Sequence, residues 1–206
     1  MDWDGRKAIE FYVSPVRCLK GTVLEPNFFR EFRIVSEEKW RSASIRAHLW
    51  GFQFQLDTRW NPGLSDEAIA QFESEVEASF PRDFRLFLEE MNGTDKPAVD
   101  VRGSSGEPHR FGPGFYSFPR DLRRVQELID FVHRGRTELC ATLREEGFEL
   151  SDEAALVPVY AHRYVLCAPN TESCPVLSIW DSSDAIVYGK SLKDYLEREV
   201  LDFTAG

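Results

Sequence analysis

Between residues 156 and 200 the chain alternates apolar runs with polar turns four times and then closes on a helical stripe, an order that few architectures accommodate. Residues 156–160, 164–167, 176–180 and 185–188 are short, rich in Val, Ile, Leu and Tyr, and separated by short stretches such as 161–163 and 181–184 that are mostly polar, as strands are. Ser191 then stands where a helix N-cap is expected, and Leu192, Tyr195, Leu196 and Val200 follow at helical spacing. The segments upstream read as helices. The whole is therefore helices, then a run of strands, then a helix, which is the pattern of an α+β domain and not of a doubly wound sheet.

Pro62-Gly63 makes a turn before the first of the upstream helices. Ser65 caps that helix, Asp66 and Glu67 suit the positive end of its dipole, and Ile69, Phe72 and Val76 form its apolar stripe. A second helix opens on Pro81 and buries Phe84, Phe87, Leu88 and Met91, with Asn92-Gly93 as a left-handed stop. Residues 94–118 are rich in Gly and Pro and read as loop, with Val99 and Val101 in a short strand. Pro119 opens a third helix carrying Leu122, Val125, Leu128, Ile129 and Val132, and a fourth spans residues 137–146 and stops at Gly147.

The first sixty residues hold eleven of the twenty-seven aromatic side chains and four of the five tryptophans, too many for a flexible linker. Ile9, Phe11 and Val13 alternate with Ala8, Glu10 and Tyr12, and Trp50, Phe52, Phe54 and Leu56 alternate more cleanly with Gly51, Gln53, Gln55 and Asp57, so both segments predict strands. Phe28 to Trp40 fits strand or helix. The expected organisation is a β-rich N-terminal extension, residues 1–59, packed on a main domain of residues 60–203.

Net charge is −10 and is unevenly placed: residues 1–60 carry ten Lys/Arg against eight Asp/Glu, and residues 61–206 carry fifteen against twenty-seven. Nucleic acid and anionic membrane would be repelled, so neither is expected as a direct ligand, whereas a basic protein would be attracted. Asp2, Asp4, Arg6, Lys7 and Glu10 interrupt the start where a secretory signal needs an apolar core, and no run is long enough to span a bilayer, so a cytoplasmic protein is expected. The cysteines at 18, 140, 167 and 174 lack metal-site spacing; Cys167 and Cys174 flank a hairpin loop and would be reduced thiols in that compartment.

Little in the chain matches known catalytic patterns. Gly103-Ser104-Ser105-Gly106 is not a nucleophile elbow, and Gly112-Pro113-Gly114 lacks the third glycine and the leading strand of a dinucleotide loop. No phosphate-binding loop or zinc signature is present, and no cofactor is expected. His162, beside Arg163 between two strands, admits several roles: general base, metal ligand, pH-sensitive contact, or a structural tie to a carboxylate such as Asp184. His48, His109 and His133 have no companions at ligand spacing.

In order along the chain, Trp60, Gly63, Leu64 and Ser65, then Phe80-Pro81-Arg82-Asp83-Phe84, then Asn92-Gly93 resemble the opening motifs of the SMI1/KNR4 (SUKH) superfamily. Tyr116, Pro119, Arg120, Asp121 and Leu122, then His162-Arg163-Tyr164, Pro175-Val176-Leu177-Ser178 and Asp184-Ala185-Ile186-Val187-Tyr188-Gly189 are similar to later segments of its bacterial immunity-protein-like subgroup. The resemblance covers residues 60–200. It implies helices packed on a mixed, mainly antiparallel sheet, and a role in binding other proteins. Many bacterial members look like immunity proteins that neutralise a cognate toxin domain, often a nuclease, and fungal relatives act as adaptors in cell-wall signalling.

No catalytic, cofactor or metal residues carry over. The positions that the resemblance marks as motif or partner-contact residues are Trp60, Gly63, Asn92 and Gly93 in the first half. In the second they are His162, Arg163, Tyr164, Asp184, Tyr188 and Gly189. Glu73, Glu75, Glu77, Glu89 and Glu90 are further candidates for a basic partner. The leading expectation is thus a non-enzymatic immunity protein with a basic toxin as partner. The alternatives are a regulatory adaptor and, from another class, a hydrolase using His162 and a carboxylate.

Overall fold

Phe29, Phe32, Ser36 and Trp40 are buried at three- and four-residue intervals, the spacing of one helix face. In the computed structural model, which describes residues 27–47, 51–101, 110–112, 114–168 and 175–202, Phe28–Trp40 is accordingly helix α1. The segment open to two sequence readings is thus helical. The strand expected around Trp50 to Leu56 is confined to β1 (Gly51–Gln53), and Leu56 is exposed. The strand expected around Ile9 lies outside the described residues.

Two helices follow the turn at Pro62. In α2 (Asp66–Glu75) the Ser65 hydroxyl accepts from the Ala68 amide, as its sequence predicts. In α3 (Arg82–Glu90) Phe84, Phe87 and Leu88 are buried, and Pro81 sits one position before the first helical residue. The expected left-handed stop is corrected: Met91 is extended, and α3 runs directly into strand β3 (Met91–Thr94), which pairs with β2 (Trp60–Pro62). The glycine with left-handed backbone, Gly93 at φ 71°, lies inside β3 and not at a helix cap. Strands β4 (Val99–Val101) and β5 (Arg110–Phe111) join β1 in a second sheet, ordered β1-β4-β5.

Helix α4 (Leu122–Arg134) begins three residues after Pro119, which occupies the preceding turn. It is followed by α5 (Arg136–Glu145), after which Gly147 turns left-handed at φ 79°. Strands β6 (Ala155–Tyr160), β7 (Arg163–Cys167), β8 (Val176–Asp181) and β9 (Asp184–Gly189) then form the expected antiparallel meander in sequence order. Ser191 caps α6 (Leu192–Leu196), which widens into a π-helical turn, Glu197–Asp202, that the sequence does not announce. The architecture is α+β.

Alternation along the meander sends side chains to two separate cores. On one face Leu156, Tyr164, Leu166, Leu177, Ile179 and Ala185 meet Val132, Leu139 and Leu143 of α4 and α5. On the other, Val157, Val159, Val165 and Val176 meet α6, α2, α3 and α1 in a larger core dominated by aromatic rings. Trp60 lies among those rings, with centroids 4.7 Å from Phe115, 5.3 Å from Trp40, 5.8 Å from Phe87 and 6.0 Å from Phe32. Its indole N–H donates to the Ser36 hydroxyl of α1 at 2.8 Å, which satisfies a donor that burial would otherwise strand. Helix α1 and the motif-bearing region therefore share one core among the described residues. Among the described residues, no helix is long and apolar enough to cross a membrane.

Trp40 closes α1 against Trp60 and Phe54, and its carbonyl accepts from the Asp57 amide at 2.8 Å. Trp40→Ala should therefore lower the free energy of unfolding by about 3–5 kcal/mol, read from the urea midpoint at constant slope. A loss under about 1 kcal/mol would mean that α1 is not part of the cooperative unit.

Candidate functional site

The residues marked in the sequence fall into two groups. The first, Trp60, Gly63, Asn92 and Gly93, is a brace around β2 and β3. The Asn92 side chain is a two-way clasp: its amide donates to the Phe118 carbonyl at 2.6 Å, and its oxygen accepts from the Phe118 amide at 2.8 Å. Both partners are buried, so the clasp fixes the loop before α4 without stranding a polar group. Gly93 lies under that loop, where an added Cβ would stand 2.6 Å from the Phe115 carbonyl oxygen. Gly63 is crowded in the same way by the Glu89 backbone. These four positions hold backbone segments together.

The second group surrounds Arg163 at the start of β7. Its Nη1 donates to the Ser178 hydroxyl of β8 at 2.8 Å, and its guanidinium carbon lies 4.0 Å above the centre of the Tyr188 ring on β9. Its Nε stands 3.4 Å from a carboxylate oxygen of Glu199, whose side chain is only 6% exposed. Tyr188 also hydrogen-bonds Glu199, while the hydroxyls of Tyr160 and Tyr195 end in the same interior without a hydrogen-bond partner. Burial pushes the Glu199 carboxyl above its ordinary range, and the Arg163 charge and the Tyr188 hydroxyl pull it back. Burial first, and then the Glu199 charge, hold the Tyr160 and Tyr195 hydroxyls well above theirs. The cluster is a buried ion pair roofed by aromatic rings.

Glu199 was missed in the sequence, although a signal exists: it lies four residues after Tyr195 and next to Val200, on the buried stripe of the C-terminal helical segment. A carboxylate on such a stripe calls for a buried cation. Gly189 lets this helix lie close to the sheet, since a Cβ there would meet the Tyr195 Cβ at 2.7 Å. Beside the cluster is a cavity of about 280 Å³, lined by Lys39, Trp40, Arg46, Gln53, Phe54 and Glu199, where the extension meets the π-helical turn. The Lys39 ammonium donates to the Leu201 carbonyl across that junction.

The remaining members of the second group diverge. Tyr164 points to the opposite face of the sheet, into the smaller core. Asp184 is exposed at the β8–β9 hairpin, where its amide donates to the Asp181 carboxylate at 3.0 Å. His162 is half-buried in the β6–β7 turn, and the expected tie to Asp184 is replaced by aromatic packing. Its ring stands edge-on to Trp180 at 5.2 Å and 6.2 Å from Phe52. Burial first, and then the adjacent Arg163 charge, lower its pKa from 6.5 to about 4, against the pull of Asp100. The imidazole is thus neutral at pH 7.

Of the acidic candidates, Glu73 accepts from the Phe80 amide and pairs with Arg85, and Glu90 pairs with Arg33 of α1. Both stitch helices together. Glu75, Glu77 and Glu89 are exposed. Among the described residues no group of three His, Cys, Asp or Glu could hold a metal ion. Cys174 and the glycine-serine turn at 103–106 lie outside them.

Against known families, residues 63–198 match the model of the SMI1 / KNR4 family (SUKH-1). That span holds Gly63, Asn92 and Gly93 of the first group and Arg163, Ser178 and Tyr188 of the second, while Trp60 and Glu199 lie just outside its two ends. No curated protein matches the chain at a significant level.

Two measurements check the site. Glu199→Ala leaves Arg163 buried and uncompensated and should cost about 3–5 kcal/mol, whereas Arg163→Met combined with Glu199→Leu should recover most of that loss. Equal losses in single and double variants, by urea unfolding at pH 7, would show that the pair itself is what stabilises this end of the sheet. For His162 the unfolded chain takes up a proton near pH 6.5 that the folded chain refuses until about pH 4, so folded-state stability is lost as pH falls through that window. His162→Phe should flatten the decline, measured as melting temperature between pH 7 and pH 4; an unchanged profile would place the decline in other groups.

Proposed function

Since the chain belongs to the SMI1/KNR4 (SUKH-1) family, we propose that it works as a protein-binding module without catalysis, an immunity protein that occupies and silences a basic toxin domain. The observation that carries this reading is the charge of the family-matching part of the chain. Residues 63–198 hold twenty-five Asp/Glu against fifteen Lys/Arg, while residues 1–60 are slightly basic.

A nuclease must attract phosphate, so its working surface is positive, and an acidic inhibitor reaches that surface through the same field that draws the substrate. The polar motif residues support the same reading by what they do. Asn92 clasps Phe118, and Arg163 is paired with Glu199 and covers Tyr188. His162 is a neutral ring packed on Trp180. A hydrolase built on His162 would need the imidazole to take up a proton in its cycle, and burial and the adjacent Arg163 charge disfavour that form.

The reading is tested by co-expression and by binding. The toxin domain should arrest growth when produced alone and not when this chain is produced with it. The purified pair should loosen by about tenfold or more between 50 mM and 500 mM salt, because screened charge steers and holds the complex. Several weak partners and no rescue of growth would overturn the immunity reading in favour of an adaptor.

A further inference from the structure

The meander face that carries Arg163 is covered by the C-terminal helical segment at one end only. There, Tyr188 and Arg163 pack toward Glu199. At the other end the same face presents Trp180, 57% exposed, and Ile186, 43% exposed. Ile186 is paired in register with Ser178, and Trp180 stands two residues further along β8, in the bulge between Ile179 and Asp181, so both exposed side chains belong to the hairpin end of the β8–β9 pair. His162 continues the strip against Trp180, and Phe52 of β1 continues it against His162. The result is an aromatic and aliphatic strip that spans two sheets.

Trp40 and Trp60 are each no more than 3% exposed, and the other exposed large apolar groups among the described residues, Ile34, Val35, Leu56 and Phe131, are aliphatic or lie below Trp180 in exposure. A tryptophan left more than half in water forgoes burial free energy, and exposed tryptophan flanked by apolar neighbours is the composition of an interface centre.

Charge says what fits the strip. Asp184 stands exposed on the same strand face as Ile186, two residues away. Asp181, at the turn, accepts from Ser183 and from the Asp184 amide, bonds that hold its carboxyl below the usual range, so it is ionised. At the far end Asp100 is the register partner of Phe52. Arg163, a cation on this face, is already matched by Glu199.

We infer that this strip, centred on Trp180 with Asp181 and Asp184 at its hairpin end, is the docking surface for a basic protein whose contact face sets an apolar side chain among lysines and arginines. The inference rests on the protein-binding reading above and gives it an address. A second copy of this chain is the poorer occupant, because it would bring another net charge of −10 to an acidic rim.

The experiment uses the full chain with a photo-crosslinking phenylalanine analogue at position 186, leaving Trp180 in place, and the same analogue at Phe131 of α4 as an exposed apolar control. The probe is the protein of the encoding cell, divided at neutral pH into fractions that bind a cation exchanger or an anion exchanger. Position 186 should crosslink one protein from the basic fraction, and position 131 should not. With that protein purified, Trp180→Ala should weaken Kd at least tenfold at unchanged melting temperature, and Phe131→Ala should leave it within about twofold.

Crosslinks to a second copy, to other residues of the same chain or only to the acidic fraction would overturn the assignment. So would an absence of crosslinks, or equal affinity of the Trp180 variant. The two readings fail separately: a basic partner that is harmless in cells removes the immunity function and leaves the surface. A toxin neutralised equally by Trp180→Ala and wild type removes the surface and leaves the function.

Discussion

The Phe115 ring is where the separately built parts of this chain meet. It stacks on Tyr160 at 4.6 Å, tilts onto Trp60 at 4.7 Å, and reaches Phe54, Phe87 and Tyr195 at 6.1–6.4 Å. Those five rings come from β6, β2, the stretch after β1, α3 and α6. Its backbone also forms a bridge with Tyr160, so it hydrogen-bonds to the meander while its ring fills the aromatic core. Offset and edge contacts of this kind add about 0.5–1.5 kcal/mol per pair beyond area buried, and they require each ring to hold one orientation. The polar brace exists to serve that requirement. Asn92 fixes Phe118, Gly93 gives room to the carbonyls of Phe115 and Tyr116, and Ser36 satisfies the Trp60 indole.

Arg163 and Glu199 solve a different problem. A cation on a strand face covered by a helix must be matched within the protein or left at high cost. The chain matches it with a carboxylate on the helix and covers the pair with the Tyr188 ring. Because Ser178 takes another guanidinium N–H, Arg163 ties β7, β8, β9 and the C-terminal turn in one contact set. The arrangement fixes where the helix sits and hence where the covered part of the sheet ends. Trp180 and Ile186 begin where that cover stops.

The meander, α2, α3 and the terminal α6 were legible because each is local: alternation, caps and helical stripes need no knowledge of what lies opposite. The errors have one cause. Phe28 to Trp40 was ambiguous because aromatic residues suit both periods, and only its burial against Phe87 and Trp60 selects the helix. Asn92-Gly93 looked like a helix stop because the dipeptide favours that use, whereas strand pairing with Trp60 and Pro62 extends Met91 and carries the glycine into a sheet. His162 admitted several roles because sequence shows its polar neighbours and cannot show that Trp180 and Phe52 pack on its ring. Glu199 was passed over because it is one of thirty-five acids, and only its place on a buried stripe distinguishes it.

Electrostatics therefore divides the acidic groups by depth. Glu73 and Glu90 are used between helices, and Glu199 is used beneath the sheet face; each answers an arginine of this chain. Such pairs fix geometry and leave little field outside, since opposite charges a few ångströms apart cancel at a distance. The surplus that makes residues 61–206 strongly negative must then lie in the groups without that role, Asp184 at the hairpin and exposed Glu75, Glu77 and Glu89 among them. A field built from exposed groups acts over roughly 8–10 Å at physiological salt, enough to orient an approaching basic surface but not to hold it alone. Retention needs desolvated apolar contact, and in the proposed docking surface Trp180 would supply it, at the hairpin that also carries Asp181 and Asp184.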